Sequence, residues 1–178
     1  GVITFLERTS GLTVPQIDEL INKKSGLLGL SGISSDMREI LTAAEAGESR
    51  ALIALKTYCY RIRKYIGAYV AAMGGLDAVV FTGGVGQGSD MVRALALQGL
   101  DCMGIRLDEQ LNRDARGFDE VCRISTNDSK VTVLVVPTDE ERMMAREALR
   151  ALSRSYITCT LKTQRQEPIL VEVSAHHL

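Results

Sequence analysis

Three short segments of this chain hold residue types suited to binding an anion and its counter-ion. In the first, Gly83, Gly84, Val85, Gly86 and Gln87 follow an apolar run and precede an amphipathic stretch. Glycines lack the Cβ that keeps a phosphate away from main-chain N–H groups, and Gly83, Gly84 and Gly86 together exceed what one tight turn requires. An anion or nucleotide site is expected there; the plainer alternative is a ligand-free turn between strand and helix. In the second segment, Ser34, Ser35, Asp36, Met37 and Arg38 open a helix. Hydroxyls and helix N–H groups favour an anion, and the Arg38 fork suits phosphate or the face of a flat base. The alternative is a helix cap with a solvated arginine. In the third, Asp139, Glu140 and Glu141 directly follow a second apolar run. Carboxylates so placed suit magnesium, which takes a few carboxylates together with water and phosphate oxygens. Taken alone they read first as acids favoured in a first helical turn.

Composition narrows the field of partners. The chain has 178 residues, 46% hydrophobic and 24% charged, with a net charge of −1. Those values fit one globular piece and argue against disorder. Interspersed charges of both signs give no reason to expect nucleic acid or an acidic membrane surface. No apolar run reaches the ~18 residues of a membrane span. Residues 1–11 do not read as a signal peptide. Cys59, Cys102, Cys122 and Cys159 contain no paired spacing, so they read as small core hydrophobes of a cytoplasmic protein. His176 and His177, the only histidines, stand at a terminus where a catalytic role is not expected.

The elements that must position these segments follow from periodicity. Thr13, Pro15 and Gln16 open a helix with Ile17, Leu20 and Ile21 on one face, ending near Ser25 and Gly26. A glycine- and serine-rich connector follows. Ser34 or Ser35 caps the next helix, with Asp36 in its first turn and Gly47 near its end. A longer helix spans Ser49–Met73, ~37 Å by rise per residue. Its seam of Leu52, Leu55, Cys59, Ile62, Ile66, Tyr69 and Met73 is either core or half of a subunit contact. Beyond Gly74 and Gly75 the pattern turns to strand then helix, twice. Ala78–Phe81 reads as a buried strand, followed by a helix over Ser89–Gln98. A short helix is expected at Asp108–Ala115. Val131–Val136 is the second strand, and Thr138 with Glu141 opens another helix whose packing face is Met143, Met144, Leu149 and Leu152. Such units imply parallel neighbours covered by helices, with ligands beyond the strands' carboxyl ends. Residues 155–178 form a separate tail, where Ile169, Val171 and Val173 alternate as an edge strand or a frayed end.

The segments around Ser25–Ile40, Tyr60–Gly86 and Val135–Ala145 resemble the carboxyl-terminal part of the acetate kinases and the similar propionate kinases, in colinear order from about Thr4 to Leu152. The resemblance implies a partial actin-like ATPase (ribonuclease H-like) α/β fold over residues 1–154, with a mixed or parallel sheet. It implies ATP or ADP and Mg²⁺ as cofactors, and transfer of the γ-phosphoryl of ATP to a short-chain carboxylate. By motif, Asp36, Met37 and Arg38 match a nucleotide-contacting SSD-x-R segment. Gly83, Gly84, Val85, Gly86 and Gln87 match a GGIGE loop, and Glu140 matches the magnesium-associated first glutamate of T-N-E-E. Two departures stand out: Gln87 and Gly88 replace glutamate and asparagine, and Asp139 replaces asparagine. The family's amino-terminal domain, with its catalytic arginine and aspartate, has no counterpart here. The chain is therefore expected to be a piece without catalytic residues of its own, inactive alone, from a homodimeric protein.

Two other functions stay open on the residues alone. One is a nonenzymatic nucleotide-binding or dimerisation module built on the long seam. The other is a dinucleotide-binding domain, since Gly84 and Gly86 before a helix partly match that fingerprint, although Ser89 stands where its last glycine belongs.

Overall fold

The computed structural model describes residues 1–115, 120–154, 157–162 and 168–173. Among them, two units pack separately, residues 1–137 and residues 138–178. No helix among the described residues is long and apolar enough to cross a membrane.

The first unit opens with α1 (Val2–Ser10), stopped by Gly11 in the left-handed region, and α2 (Val14–Lys23). The Thr13 N–H donates to Gln16 Oε1 at 2.8 Å, so the anticipated capping box forms. The supposed connector after it contains a helical turn, α3 (Gly26–Ser31). Leu27 packs into the core beside it, and the Arg50 Nε–H donates to the Leu30 carbonyl at 3.1 Å. Tertiary packing thus holds a helix whose glycines and serines disfavour one. Next come α4 (Met37–Glu45) and α5 (Ser49–Met73), the latter with the bounds the sequence indicated.

A three-stranded mixed sheet follows, built from β1 (Ala78–Phe81), β2 (Cys122–Arg123) and β3 (Thr132–Val135) in the order β1-β3-β2. β1 and β3 are parallel; β2 and β3 are antiparallel. Between β1 and β2 lie α6 (Gly83–Gly88), α7 (Asp90–Leu97) and α8 (Glu109–Asp114). β1 is not the buried strand expected. It lies on the sheet's edge, with Phe81 buried but Ala78 and Val80 exposed.

Two apolar clusters fill this unit. One joins the sheet residues Phe81, Val133 and Val135 to Ala96 and Leu97 of α7. The other joins Met37 and Ile40 of α4 to Ala51, Leu55 and Cys59 of α5 and Val92 of α7. α7 therefore has a face in each cluster, and Ile62 of α5 packs on both. The seam of α5 is core from Leu55 through Cys59 and Ile62 to Ile66. Leu52 is exposed because α4 approaches on the side of Ala51, Ala54 and Leu55, and Tyr69 and Met73 are exposed at the far end of the helix. The cysteines divide likewise: Cys59 is buried, Cys122 is half-buried against the sheet cluster, and Cys102 is exposed.

The second unit contains α9 (Glu140–Arg154) and the antiparallel pair β4 (Ile157–Lys162) and β5 (Pro168–Val173). The strand read at Ile169, Val171 and Val173 forms, but in a two-stranded sheet of its own. Met143, Met144, Leu149 and Leu152 are exposed instead of packed. Periodicity marks an apolar face without showing what covers it. The side chain of Cys159, with His176 and His177, lies outside the described residues.

Candidate functional site

The carboxyl ends of β1 and β3 are level, with Phe81 opposite Val135. The stitching continues one residue further. The Val136 N–H donates to the Phe81 carbonyl at 2.9 Å. The Val136 carbonyl accepts from Thr82 Oγ1 at 2.9 Å and from Gln87 Nε2 at 3.1 Å. Both ends of the glycine segment are thereby tied to the residue that follows β3.

The segment itself is the short helix α6, where the sequence suggested a loop. Thr82 is extended, and Gly83 turns the chain at φ +69°. By helix geometry the N–H groups of Gly83, Gly84, Val85 and Gly86 have no intrahelical acceptor. The glycines differ in purpose. A Cβ added to Gly83 or Gly84 meets nothing within 4 Å, so open space lies over that part of the turn. At Gly86 it meets the Phe81 main-chain carbon at 3.4 Å, so this glycine lets the turn press onto the strand. Gln87 is 6% exposed, and its amide serves the Val136 carbonyl. A neutral donor suits that carbonyl better than a carboxylate, which has no hydrogen to give. That gives the replacement of glutamate here a local physical sense.

Sequence reading missed the support on the other side of the turn. Arg93 of α7 is 1% exposed. Its Nη1 donates to the carbonyls of Gly86 and Gln87 at 2.9 and 2.8 Å. Nε donates to Asn112 Oδ1 at 2.7 Å, and Nη2 to the carbonyls of Asn112 and Ala115 at 2.7 and 3.2 Å. Burial pushes the guanidinium pKa down, with Asp90 opposing. The available signal was an arginine amid the apolar residues Met91, Val92, Ala94, Leu95, Ala96 and Leu97.

The segment Ser34–Arg38 is a chain of caps. Ser34 Oγ accepts from the Asp36 N–H at 3.0 Å. Asp36, not a serine, is the N-cap of α4, its Oδ1 accepting from the Arg38 N–H at 2.9 Å. Arg38 Nη2 reaches Asp36 Oδ2 at 2.5 Å while its side chain is 89% exposed. The Arg38 hydrogen bonds lower the Asp36 carboxyl from 3.8 to about 2. Met37 is buried in the same apolar cluster on which Val85 packs. Both expected nucleotide segments therefore rest on one body of core.

Asp139 and Glu140 belong to the second unit. Asp139 Oδ1 accepts from the Arg142 N–H at 2.9 Å, so Asp139 takes the capping role expected of Thr138. Glu140 opens α9 with its carboxylate exposed. No three His, Cys, Asp or Glu among the described residues are grouped to hold a metal. One or two carboxylates fit magnesium that keeps its waters and takes phosphate oxygens; they do not fit a cation caged by protein alone.

A family model described as the acetokinase family matches residues 1–146. The acetate kinase of Bacteroides thetaiotaomicron is 49% identical over 154 residues, 86% of this chain and 38% of that protein. That of Porphyromonas gingivalis is 53% identical over 152 residues, 85% of this chain and 38% of that protein. The crystal structure of Porphyromonas gingivalis acetate kinase superposes with a TM-score of 0.77 at 51% identity, over 85% of this chain and 38% of that one. A propionate kinase from Francisella tularensis superposes with a TM-score of 0.73 at 33% identity, over 82% and 36%. The chain thus spans about 38% of the length of the curated relatives it matches.

Proposed function

The chain belongs to the acetokinase family, and from that premise we propose that it is the nucleotide-holding part of a kinase transferring the ATP γ-phosphoryl to a short-chain carboxylate. The products are an acyl phosphate and ADP. The observation carrying this reading is the glycine turn fixed across the ends of two parallel strands, with open space over Gly83 and Gly84. Ligands in such sheets sit at that end.

In this reading the main-chain N–H groups of Gly83–Gly86 hold polyphosphate oxygens. Asp36 and Met37 set the entry of α4, and the exposed Arg38 guanidinium contacts the nucleotide. Glu140 contributes a carboxylate to Mg²⁺, which neutralises phosphate charge when bound. Phosphoryl transfer requires positioned reactants and positive groups around the spreading charge. We assign the acyl pocket and those groups to the portion of the relatives that this chain does not match. A homodimer through the exposed half of α5, where Tyr65 and Tyr69 stack with ring centroids 6.2 Å apart, completes the assignment.

Titration calorimetry with Mg-ADP and, separately, NAD tests the nucleotide reading. Selective binding of Mg-ADP is expected; equal indifference to both would sink it and favour a structural module. A hydroxamate assay with ATP and acetate should show turnover only when the unmatched portion of a relative is supplied. Substantial turnover by this chain alone would contradict the division of labour.

A further inference from the structure

The guanidinium of Arg93 faces two elements at once. Nη1 holds the Gly86 and Gln87 carbonyls at 2.9 and 2.8 Å, while Nε and Nη2 hold Asn112 twice, each at 2.7 Å, and Ala115 at 3.2 Å. Asn112 is itself 3% exposed, and its Nδ2 donates to the Asp90 carbonyl at 2.9 Å. All these acceptors are neutral oxygens. A rigid planar fork bonded in two directions fixes both separation and tilt. Peptide planarity extends the constraint, because a fixed Gly86 carbonyl also fixes the Gln87 N–H on the same plane. In α6 that N–H points back toward the Gly83 carbonyl. The glycine turn is thus held from beneath by Arg93 and from the strand side by Val136.

We propose that Arg93, held by Asn112, is a positioning residue: it orients the Gly83–Gln87 main chain for the phosphates and couples that turn to α8. The role rests on the nucleotide reading above. It places the effect of Arg93 in the phosphate-dependent part of the affinity, not in the nucleoside part.

Titration calorimetry on the full chain, wild type, Arg93→Lys and Asn112→Ala, with Mg-ADP and with adenosine, tests it. Lysine keeps the charge but donates from one point, and alanine removes the Nε acceptor. The ADP Kd should rise about tenfold in each variant while the adenosine Kd stays within about twofold. A purely structural role lowers the folded fraction and weakens both ligands alike, which would overturn positioning. Retained ADP selectivity in both variants would overturn positioning while leaving the nucleotide reading intact. Absence of ADP binding in the wild type would overturn both. Hydrogen exchange on the wild type covers the case of poorly folding variants. Mg-ADP should slow exchange in residues 83–88 and 110–115 together; slowing confined to 83–88, or none, would overturn the coupling.

Discussion

Arg93 and Asn112 meet through two hydrogen bonds, from Nε to the asparagine side-chain oxygen and from Nη2 to its main-chain oxygen, both at 2.7 Å. The pair closes α7 onto α8 while the same guanidinium grips the end of the glycine turn. Replacing it with Arg93→Met leaves several buried carbonyls without their donor. The expected loss is about 3 kcal/mol or more in urea unfolding. A loss under about 1 kcal/mol would mean water or a rearranged backbone satisfies them instead.

Gly83 is the position in the turn with φ in the left-handed region, at +69°, with empty space where a Cβ would go. Gly83→Ala should therefore cost about 1 kcal/mol from conformation alone, and Gly83→Asn less, since asparagine tolerates that region. Thermal melts of the two variants read the order; alanine matching or exceeding asparagine would contradict it.

Gly86 is governed by space. A methyl there reaches ordinary contact with Phe81 at 3.4 to 3.6 Å, so Gly86→Ala should fold nearly as well as the parent. Gly86→Val adds branches against the same strand and should lose about 1–3 kcal/mol. It should also lose ADP binding in the calorimeter. Equal stability of the two variants would show that the turn can lift off the strand.

Asp36 and Arg38 separate capping from binding. The Arg38 pairing holds the Asp36 carboxyl at about 2. A depressed pKa stabilises the fold above the unfolded value near 3.8, and that contribution fades as pH falls from there through about 2. Asp36→Ala should flatten this acid limb in a pH series of melts. Arg38→Ala, at an exposed pair, should leave the neutral-pH melt almost unmoved while weakening Mg-ADP binding. An unchanged ADP affinity would remove Arg38 from the site.

Cys59 and Cys102 should differ sharply toward a thiol reagent. Burial raises the Cys59 thiol from 9.0 to about 11, whereas Cys102 is exposed. A raised thiol pKa stabilises the fold below the unfolded value near 9.0, and that contribution is lost as pH climbs through about 11. In a Cys159→Ser background at pH 8, Cys102 should label quickly and Cys59 only on unfolding. Prompt labelling of Cys59 would mean that the α4–α5 core opens readily.

What was legible in the sequence had local chemistry behind it. Gly74 stops α5 in the left-handed conformation, and Thr13 with Gln16 starts α2, each through backbone groups nearby in the chain. The glycine turn and its place after a strand were legible for the same reason. Relations set by distant packing were not. The serine-glycine stretch became α3 only because Leu27 and Arg50 hold it. The cap of α4 fell to Asp36 because three neighbouring side chains each had an oxygen able to serve. Arg93 went unnoticed since an arginine in an amphipathic helix ordinarily snorkels to water.

The parallel pairing of β1 with β3 joins residues far apart in sequence, Ala78 with Thr132 through Phe81 with Val135. Closing so long an excursion must precede any reward from the contacts it makes. The turn at Gly83 is synthesised before β3, yet its clamp at Val136 arrives only after β3 exists. The proposed nucleotide turn is accordingly complete only when the later strand has docked.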